Sequence, residues 1–132
     1  MENRSIPNSV VIPVLGYSDV AGAAEFLCRA FGFKQRLLIG DHRIQLVVDG
    51  GGAVVVAHSD ETPAAHSVMI RVGDANAHFE QAKREGARIA SEPVDWPYGE
   101  RQYTAQDPGG HIWTFTQSIA DVDPADWGGV LK

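Results

Sequence analysis

Hydrophobic and polar positions along the chain follow the same order twice. Residues 11–33 (VIPVLGYSDVAGAAEFLCRAFGF) contain an apolar strand, an aspartate, a helical pattern of about three turns and a glycine, and residues 67–89 (SVMIRVGDANAHFEQAKREGARI) repeat this order. Apolar residues recur at helical spacing in both segments, so each helix has one face that can pack on a sheet. The pattern predicts two copies of one unit. The predicted helix caps are Asp19 and Asp74 at the N-termini and Gly32 and Gly86 at the C-termini.

Each helix is followed by strand patterns that include a glycine-rich hairpin. Residues 43–59 and 101–118 both have the pattern strand, turn, strand, and they align on Asp49 and Asp107. Each unit is therefore predicted to be βαβββ. We expect an α+β fold in which two βαβββ modules form curved mixed sheets around a cavity.

Length and composition favour a single globular domain. The chain has 132 residues, of which 44% are hydrophobic and 21% are charged. We expect module 1 at about 10–59, module 2 at about 66–118 and a C-terminal tail at 119–132. The single cysteine, Cys28, forms no intrachain disulfide, and the N-terminal sequence does not resemble an export signal, so we expect a cytoplasmic protein.

The formal net charge of the chain indicates which kinds of partner it can bind. A formal net charge of −6 disfavours nucleic acid and anionic membranes, and no apolar stretch approaches the roughly 20 residues that span a bilayer. The same charge favours a cationic small molecule. We expect a small-molecule ligand, with no nucleic acid and no membrane as partner.

Three features of the sequence carry a family resemblance: the doubled unit, the segment YSDVAGAAEFLCRAFGF after an apolar strand, and the closing DPGGHIWTF. Together they resemble the glyoxalase, bleomycin-resistance and extradiol-dioxygenase superfamily, also called vicinal oxygen chelate proteins. The segment WPYGERQY resembles a glyoxalase-like or bleomycin-resistance-like subgroup. The resemblance covers residues 10–118. It implies a cavity that holds a divalent metal through His or Gln, Glu, His and Glu, one from the first strand and one from the last strand of each module.

The spacing of the family's metal ligands assigns those positions to four residues of this chain. The residue seven places before the cap aspartate is Ile12 in module 1 and Ser67 in module 2. The fourth residue after the last turn glycine is Val56 in module 1 and Thr114 in module 2. Hydrocarbon and hydroxyl side chains do not hold such a metal, which requires imidazole, thiolate or carboxylate ligands. We therefore expect a cavity without a metal, without a cofactor and without an assigned catalytic residue.

The five histidines offer another route to a metal. His58 lies two residues after Val56 and is expected on the same, cavity-facing side of the strand. There it can hydrogen-bond a ligand or cap the strand end. His66 would enter the cavity only through a one-residue bulge. We expect His42, His78 and His111 to be solvated.

Alternation places two more side chains on the cavity face. Met69 and Arg71 share the face of Ser67, whereas the residues between them pack under the helices. The Arg71 guanidinium then either contacts an anionic group of a ligand or, as we favour, forms a salt bridge with Glu100 or Asp49.

Two aromatic residues flank a proline just before a strand. Trp96 and Tyr98 lie either side of Pro97, so at least one ring is expected at a loop surface. Such rings suit planar or cationic ligands. The alternative is that Trp96 closes the end of the sheet or packs at a subunit interface. Trp127 is expected to anchor the tail.

Three functions remain open. The first is a metal-independent small-molecule binding protein that sequesters an antibiotic or a metabolite. The second is a metal-dependent lyase or dioxygenase of the same superfamily that uses His58 and His66. The third is an interaction module whose cavity is filled by its own side chains. Exposed sheet edges favour a homodimer in each case.

Overall fold

The computed structural model describes residues 1–63 and 65–132, and in them two helices and eight strands follow the predicted order. The α+β fold with two βαβββ modules is confirmed. Module 1 contains β1 (Val14–Tyr17), α1 (Val20–Phe31), β2 (Lys34–Ile39), β3 (Arg43–Val48) and β4 (Gly52–His58). Module 2 contains β5 (Ser67–Arg71), α2 (Ala75–Arg84), β6 (Arg88–Trp96), β7 (Glu100–Gln106) and β8 (Ile112–Ser118), and a 3₁₀ turn follows in the tail (Pro124–Trp127).

Both modules have the same sheet topology. The strand order is β1-β4-β3-β2 in module 1 and β5-β8-β7-β6 in module 2. β1 runs parallel to β4, and β5 runs parallel to β8, whereas the other neighbouring strands are antiparallel. None of the helices in the described part of the chain is long and apolar enough to cross a membrane.

Both helices begin at the predicted N-caps and α1 ends at the predicted Gly32, whereas the C-cap of α2 is Glu85, one residue before Gly86. The Asp19 carboxylate accepts a hydrogen bond from the Gly22 amide at 3.0 Å, and Asp74 caps α2 in the same way at 3.0 Å. Gly32 and Gly86 have φ angles of 81° and 91°, which favour glycine. Each helix therefore spans the residues whose apolar face covers one sheet.

One hydrophobic core serves both modules. The Phe31 ring of α1 contacts Trp113 and Phe115 of β8, with ring centroids 5.7 and 4.8 Å apart, and Phe33 also contacts Trp113. The helix-covered faces of the two sheets therefore share this core. Since strand side chains alternate, the other face of each sheet points away from it.

A buried aspartate joins the modules. Asp107 is 4% exposed, and its carboxylate accepts hydrogen bonds from the Tyr17 hydroxyl at 2.5 Å, the Trp113 indole at 3.0 Å and the His111 amide at 3.0 Å. The His111 ring reaches the Gly16 carbonyl oxygen at 2.7 Å. The prediction of a solvated His111 is wrong, because the β7–β8 turn folds back onto β1. Burial and the Asp107 carboxylate raise the pKa of the Tyr17 hydroxyl.

His78 is also less exposed than the sequence predicts. It lies where α2 meets α1, with its Nε2 3.0 Å from the Phe31 carbonyl oxygen and its Nδ1 2.5 Å from the Tyr103 hydroxyl. Burial lowers the pKa of the imidazole. His42 is exposed, as predicted.

The predicted orientation of Val56 is wrong. Val56 pairs with Leu15 and is fully buried in the core. Gly52 is already the first residue of β4, and Gly51, with φ at 109°, is the last turn glycine with positive φ. Counting from Gly51 gives Val55, and a shift of one residue exchanges the two faces of a strand.

Pairing supports this corrected register. Val14 pairs with Val55 in module 1 as Met69 pairs with Thr114 in module 2. The alignment of the hairpins on their aspartates fails because the turns differ in length. The turn spans residues 107–111 in module 2 but only 49–51 in module 1.

Candidate functional site

The face of the module 2 sheet that points away from the core is exposed or half-buried, except for the buried Thr116, and we call it the open face. Trp113 and Phe115 point into the core, so the residues between them on β8 point outward. Residues paired directly across strands share a face. The pairing gives the open face as Ser67, Met69 and Arg71 on β5, Ile112, Thr114 and Thr116 on β8, Glu100, Gln102, Thr104 and Gln106 on β7, and Val94 and Trp96 on β6.

The centre of the open face is a hydrogen-bonded set of hydroxyl and amide groups. The hydroxyls of Thr104 and Thr114 are 3.1 Å apart. The Gln102 amide donates to the Thr116 hydroxyl oxygen at 3.1 Å, and that hydroxyl donates to a Glu100 carboxylate oxygen at 2.6 Å. These groups can orient a ligand through hydrogen bonds.

One ion pair lies at the edge of this set. The Arg71 guanidinium is 3.8 Å from the Glu100 carboxylate, which is one of the two predicted salt bridges, and it also donates to the Ser118 hydroxyl. Hydrogen bonds from Ser118 and Thr116, together with the Arg71 charge, lower the pKa of the Glu100 carboxyl. Glu100 is therefore a weak base, and its charge is compensated.

Three aromatic residues, which we call the aromatic rim, border the open face. The rings of Trp96 and Tyr98 are parallel within 4°, with centroids 6.1 Å apart, and the Trp127 ring lies 5.3 Å from Tyr98. The Tyr98 hydroxyl donates to the Gln102 carboxamide oxygen at 3.2 Å, so its ring leans over the open face. Trp96 and Trp127 are 45% and 46% exposed, which leaves ring surface for a ligand.

The turn between β6 and β7 fixes the aromatic rim. Trp96 pairs with Glu100, and Gly99 at the last turn position has a φ of 86°, as a three-residue hairpin with glycine requires. The Gly99 carbonyl accepts hydrogen bonds from Ile119 at 2.8 Å and Ala120 at 3.3 Å. These bonds hold the start of the tail against the turn, which brings Trp127 to Tyr98. No local sequence pattern signals that contact.

Comparison with known proteins places the fold in a family. The sequence model of the Glyoxalase/Bleomycin resistance protein/Dioxygenase superfamily matches residues 9–115. This chain belongs to that superfamily. The predicted resemblance is thereby confirmed.

Several known proteins are similar to this chain over most of its length. The crystal structure of TioX from Micromonospora sp. ML1 is 32% identical, has a TM-score of 0.72 and aligns over 85% of this chain and 100% of that one. A superfamily member from Nocardioides has a TM-score of 0.72 at 14% identity, over 96% of this chain and 91% of its own, which shows the fold alone. The uncharacterized protein Rv0887c of Mycobacterium tuberculosis is 25% identical over 130 residues, covering 84% of this chain and 75% of its own.

The side chains at the superfamily's metal positions do not fit a divalent metal. Ser67 and Thr114 supply hydroxyls, whereas Ile12 and the corrected position Val55 supply only hydrocarbon. Transition metals and magnesium are held by imidazole, thiolate or carboxylate groups, normally three or four together. We therefore derive no chemistry through a metal at these positions.

The histidines proposed as substitute ligands lie at strand ends, His58 as the last residue of β4 and His66 directly before β5. His58 is exposed at the end of β4, 3.7 Å from Asp60, and His66 lies 3.1 Å from the His111 ring, nitrogen to nitrogen. Ile12 precedes β1 and is half-buried. Within residues 1–63 and 65–132, no three His, Cys, Asp or Glu side chains are arranged to hold a metal ion.

A cleft adjoins the open face. It has a volume of about 650 Å³ and lies between β5 and the β3–β4 turn. Its lining is mainly apolar and includes Val48, Val54 and Ile70, and Met69 and Arg71 also contribute. A ligand on the open face therefore has an apolar cleft beside it.

Proposed function

We propose that this protein binds a flat aromatic small molecule on the open face, without a metal, and so sequesters an antibiotic or a metabolite. The parallel rings of Trp96 and Tyr98 carry the proposal. Both rings are held by a rigid turn and border hydrogen-bonding groups. A preformed aromatic surface loses little entropy on binding, and each stacked ring contributes about 0.5–1.5 kcal/mol.

Charge favours a ligand that is cationic as well as flat. The formal net charge is −6, and a cation over an indole ring gains about 0.5–2 kcal/mol. The Arg71 guanidinium is already paired with Glu100, so the open face offers an anion no uncompensated charge there. Proflavine, a planar cation, is therefore a suitable probe, and phenazine is its neutral counterpart.

Fluorescence titration with proflavine tests the proposal. Trp96→Ala is expected to weaken binding by about 1–3 kcal/mol, or roughly 5- to 150-fold, because it removes half of the ring pair. Trp127→Ala is expected to have a smaller effect, since the Trp127 ring is tilted by 58° to that of Tyr98 and lies outside the parallel ring pair. Leu38→Ala, which alters a 59% exposed residue of β2, is the control and is expected to have no effect.

Two results would contradict the proposal. Equal proflavine affinity in the parent and Trp96→Ala would remove the aromatic rim from the site. Loss of affinity on treatment with EDTA, regained with zinc or manganese, would favour the metal-dependent enzyme instead. We expect EDTA to leave the affinity unchanged.

We further propose that the protein is a homodimer. Val10 and Val14 are 103% and 53% exposed, which is apolar surface that a second copy would cover. Light scattering is expected to give twice the chain mass of 14.3 kDa. A single-chain mass at micromolar concentration would contradict this part of the proposal and leave the binding site intact.

A further inference from the structure

Equivalent positions of the two modules carry residues of different size where the modules meet. Asp19 and Asp74 each cap a helix. The residues two places before them, Tyr17 and Val72, therefore occupy equivalent positions in the repeat. Tyr17 is buried, whereas Val72 is half-buried. A buried tyrosine in one half of the molecule is thus matched by a smaller and more exposed valine in the other.

Three aromatic rings, which we call the ring cluster, fill the space between β1 and the β7–β8 turn. They belong to Tyr17, His66 and His111, and the His111 centroid is 4.5 Å from that of Tyr17 and 5.1 Å from that of His66. The His111 Nε2 lies 2.7 Å from the Gly16 carbonyl oxygen, and the Tyr17 hydroxyl donates to the Asp107 carboxylate. Tyr17, Asp107 and His111 are all buried, so little of this space is left to solvent.

The equivalent space in the other half is the cleft between β5 and the β3–β4 turn. The strand register matches β1 to β5 and β4 to β8 residue by residue. Small residues stand at the positions that match the ring cluster and its aspartate: Val11 for His66, Val72 for Tyr17, Val48 for Asp107 and Gly52 for His111. All four small residues line the cleft, which has a volume of about 650 Å³.

Part of the cleft lining points towards the core and is nevertheless only half-buried. These residues are Val48, Ile70 and Val72, and the residues that match them in the other half, Asp107, Leu15 and Tyr17, are buried. The difference leaves apolar surface that a ligand can cover. Because this surface is on the core side of β5, it is distinct from the open face.

We propose that the cleft binds an uncharged, fused aromatic ring system with one N–H group, such as indole, in the position that the ring cluster takes in the other half. This inference does not rest on the function proposed for the open face. It commits to a small molecule as the occupant, and a second copy of the chain is an outcome of the test.

A backbone carbonyl supplies the hydrogen bond for the N–H group. The Val72 amide donates to the Thr116 carbonyl oxygen at 2.9 Å, so the neighbouring Arg71 carbonyl points away from β8. β5 is the last strand of its sheet on that side, among the residues that the structure describes. The Arg71 carbonyl matches that of Gly16, which accepts a hydrogen bond from the His111 ring. A ligand N–H can therefore take the role of the His111 Nε2–H group.

The charges around the cleft favour an uncharged ligand. Asp49 and Arg71 line the cleft, have opposite signs and are exposed, so together they favour neither a cation nor an anion. Val48, in the position of Asp107, supplies no counter-charge deeper in the cleft. A charged group would lose its water there without compensation, whereas an aromatic ring gains contact with apolar side chains such as Val54 and Ile70.

Filling the cleft with a side chain tests the proposal. Val72→Tyr introduces the residue found at the matching position and is expected to weaken indole binding by about tenfold or more, because its ring takes the same space. Leu38→Tyr adds the same ring at a 59% exposed position of β2 and is expected to match the parent. NMR titration with indole measures the affinities, and the largest shifts in the parent are expected at the Gly52 and Val72 amides.

A second probe tests the hydrogen bond to the Arg71 carbonyl. Benzothiophene has nearly the shape of indole but carries no N–H group. It is expected to bind the parent about threefold more weakly than indole, although it is the more apolar molecule, because one hydrogen bond is lost. Equal or tighter binding of benzothiophene would overturn the N–H requirement.

Three results overturn the site itself. One is equal indole affinity in the parent and folded Val72→Tyr, and another is a set of indole shifts confined to Trp96 and Tyr98 of the aromatic rim. The third is the absence of saturable indole binding in the parent. If the parent is then a dimer and Val72→Tyr a single chain by light scattering, a second copy covers the cleft.

A milder variant keeps the test decisive if Val72→Tyr does not fold. Val72→Leu fills part of the cleft and is expected to weaken indole binding by about threefold. A parental indole affinity in folded Val72→Leu would then overturn the inference.

Discussion

The two modules share a topology but differ on the face that points away from the core. In module 1 this face carries the buried Val55 and Gln45, and the Gln45 amide donates to the Ser5 carbonyl oxygen. In module 2 the matching face carries Thr114 and Gln102 and is open. The repeated pattern therefore constrains the core-facing residues of each strand, where both modules need apolar side chains. The residues that point away from the core differ between the modules, and those of module 2 form the proposed binding face.

The turns before the last strands differ as well. Asp107 is buried at the junction of the modules, whereas Asp49 in the shorter turn of module 1 is exposed. The longer turn reaches the other module, where Asp107 accepts a hydrogen bond from Tyr17. The two aspartates, which the sequence aligns, thus have different roles.

The largest expected effect separates these aspartates. Asp107→Ala leaves the buried Tyr17 hydroxyl and Trp113 indole without an acceptor, at about 1–3 kcal/mol each, so we expect a loss of about 3–5 kcal/mol in the free energy of unfolding. Asp49→Ala is expected to change it by less than about 0.5 kcal/mol. Urea denaturation at pH 7 measures both. Equal losses would mean that Asp107 is not the junction of the modules.

A smaller loss of stability is expected to distinguish the β6–β7 turn, which contains Gly99, from the β2–β3 turn, which contains Gly40. A Cβ on Gly99 would lie 2.3 Å from the Ala120 carbonyl oxygen at a φ of 86°, so Gly99→Ala is expected to cost about 2–3 kcal/mol. A Cβ on Gly40 would meet only the movable His42 ring at 3.0 Å, and Gly40→Ala is expected to cost about 1–2 kcal/mol. Thermal unfolding measures the difference. A larger loss in Gly40→Ala would contradict the role of Gly99 in holding the tail.

Local patterns predicted the parts of the molecule that local physics determines. The caps Asp19 and Asp74 precede apolar helical patterns, and the alternation that places Ser67, Met69 and Arg71 on one face depends only on strand geometry. The orientation of β4 was mispredicted, because three consecutive glycines do not reveal which one begins the strand.

Long-range contacts account for what the sequence did not predict. The partner of Asp107, Tyr17, lies 90 residues away, and no pattern in the turn indicates that it folds onto β1. Trp127 meets Tyr98 only because the tail binds the Gly99 carbonyl. The contact between Gln45 and the Ser5 carbonyl oxygen is also long-range, since the apolar and polar order of residues 4–7 matches no element.

The smallest expected effect concerns one position that differs between the helices. His78 and Ala23 each follow their cap aspartate by four residues, but only His78 titrates. Burial lowers its pKa in the folded protein, so the unfolded chain takes up a proton at higher pH. The stabilisation is therefore complete above the unfolded pKa of about 6.5 and is lost as the pH falls from there through the lower folded pKa.

His78→Ala, which makes α2 match α1 at this position, isolates that contribution. We expect the parent to lose stability to urea between pH 7 and pH 5 and the variant to lose less over the same range, whatever its stability at pH 7. The range stays above pH 5 because the carboxyls with lowered pKa, Asp95 and Glu100, lose their contribution only at lower pH. Identical pH slopes in the two proteins would show that His78 takes up its proton equally in both states. The imidazole between Phe31 and Tyr103 would then contribute through its hydrogen bonds alone.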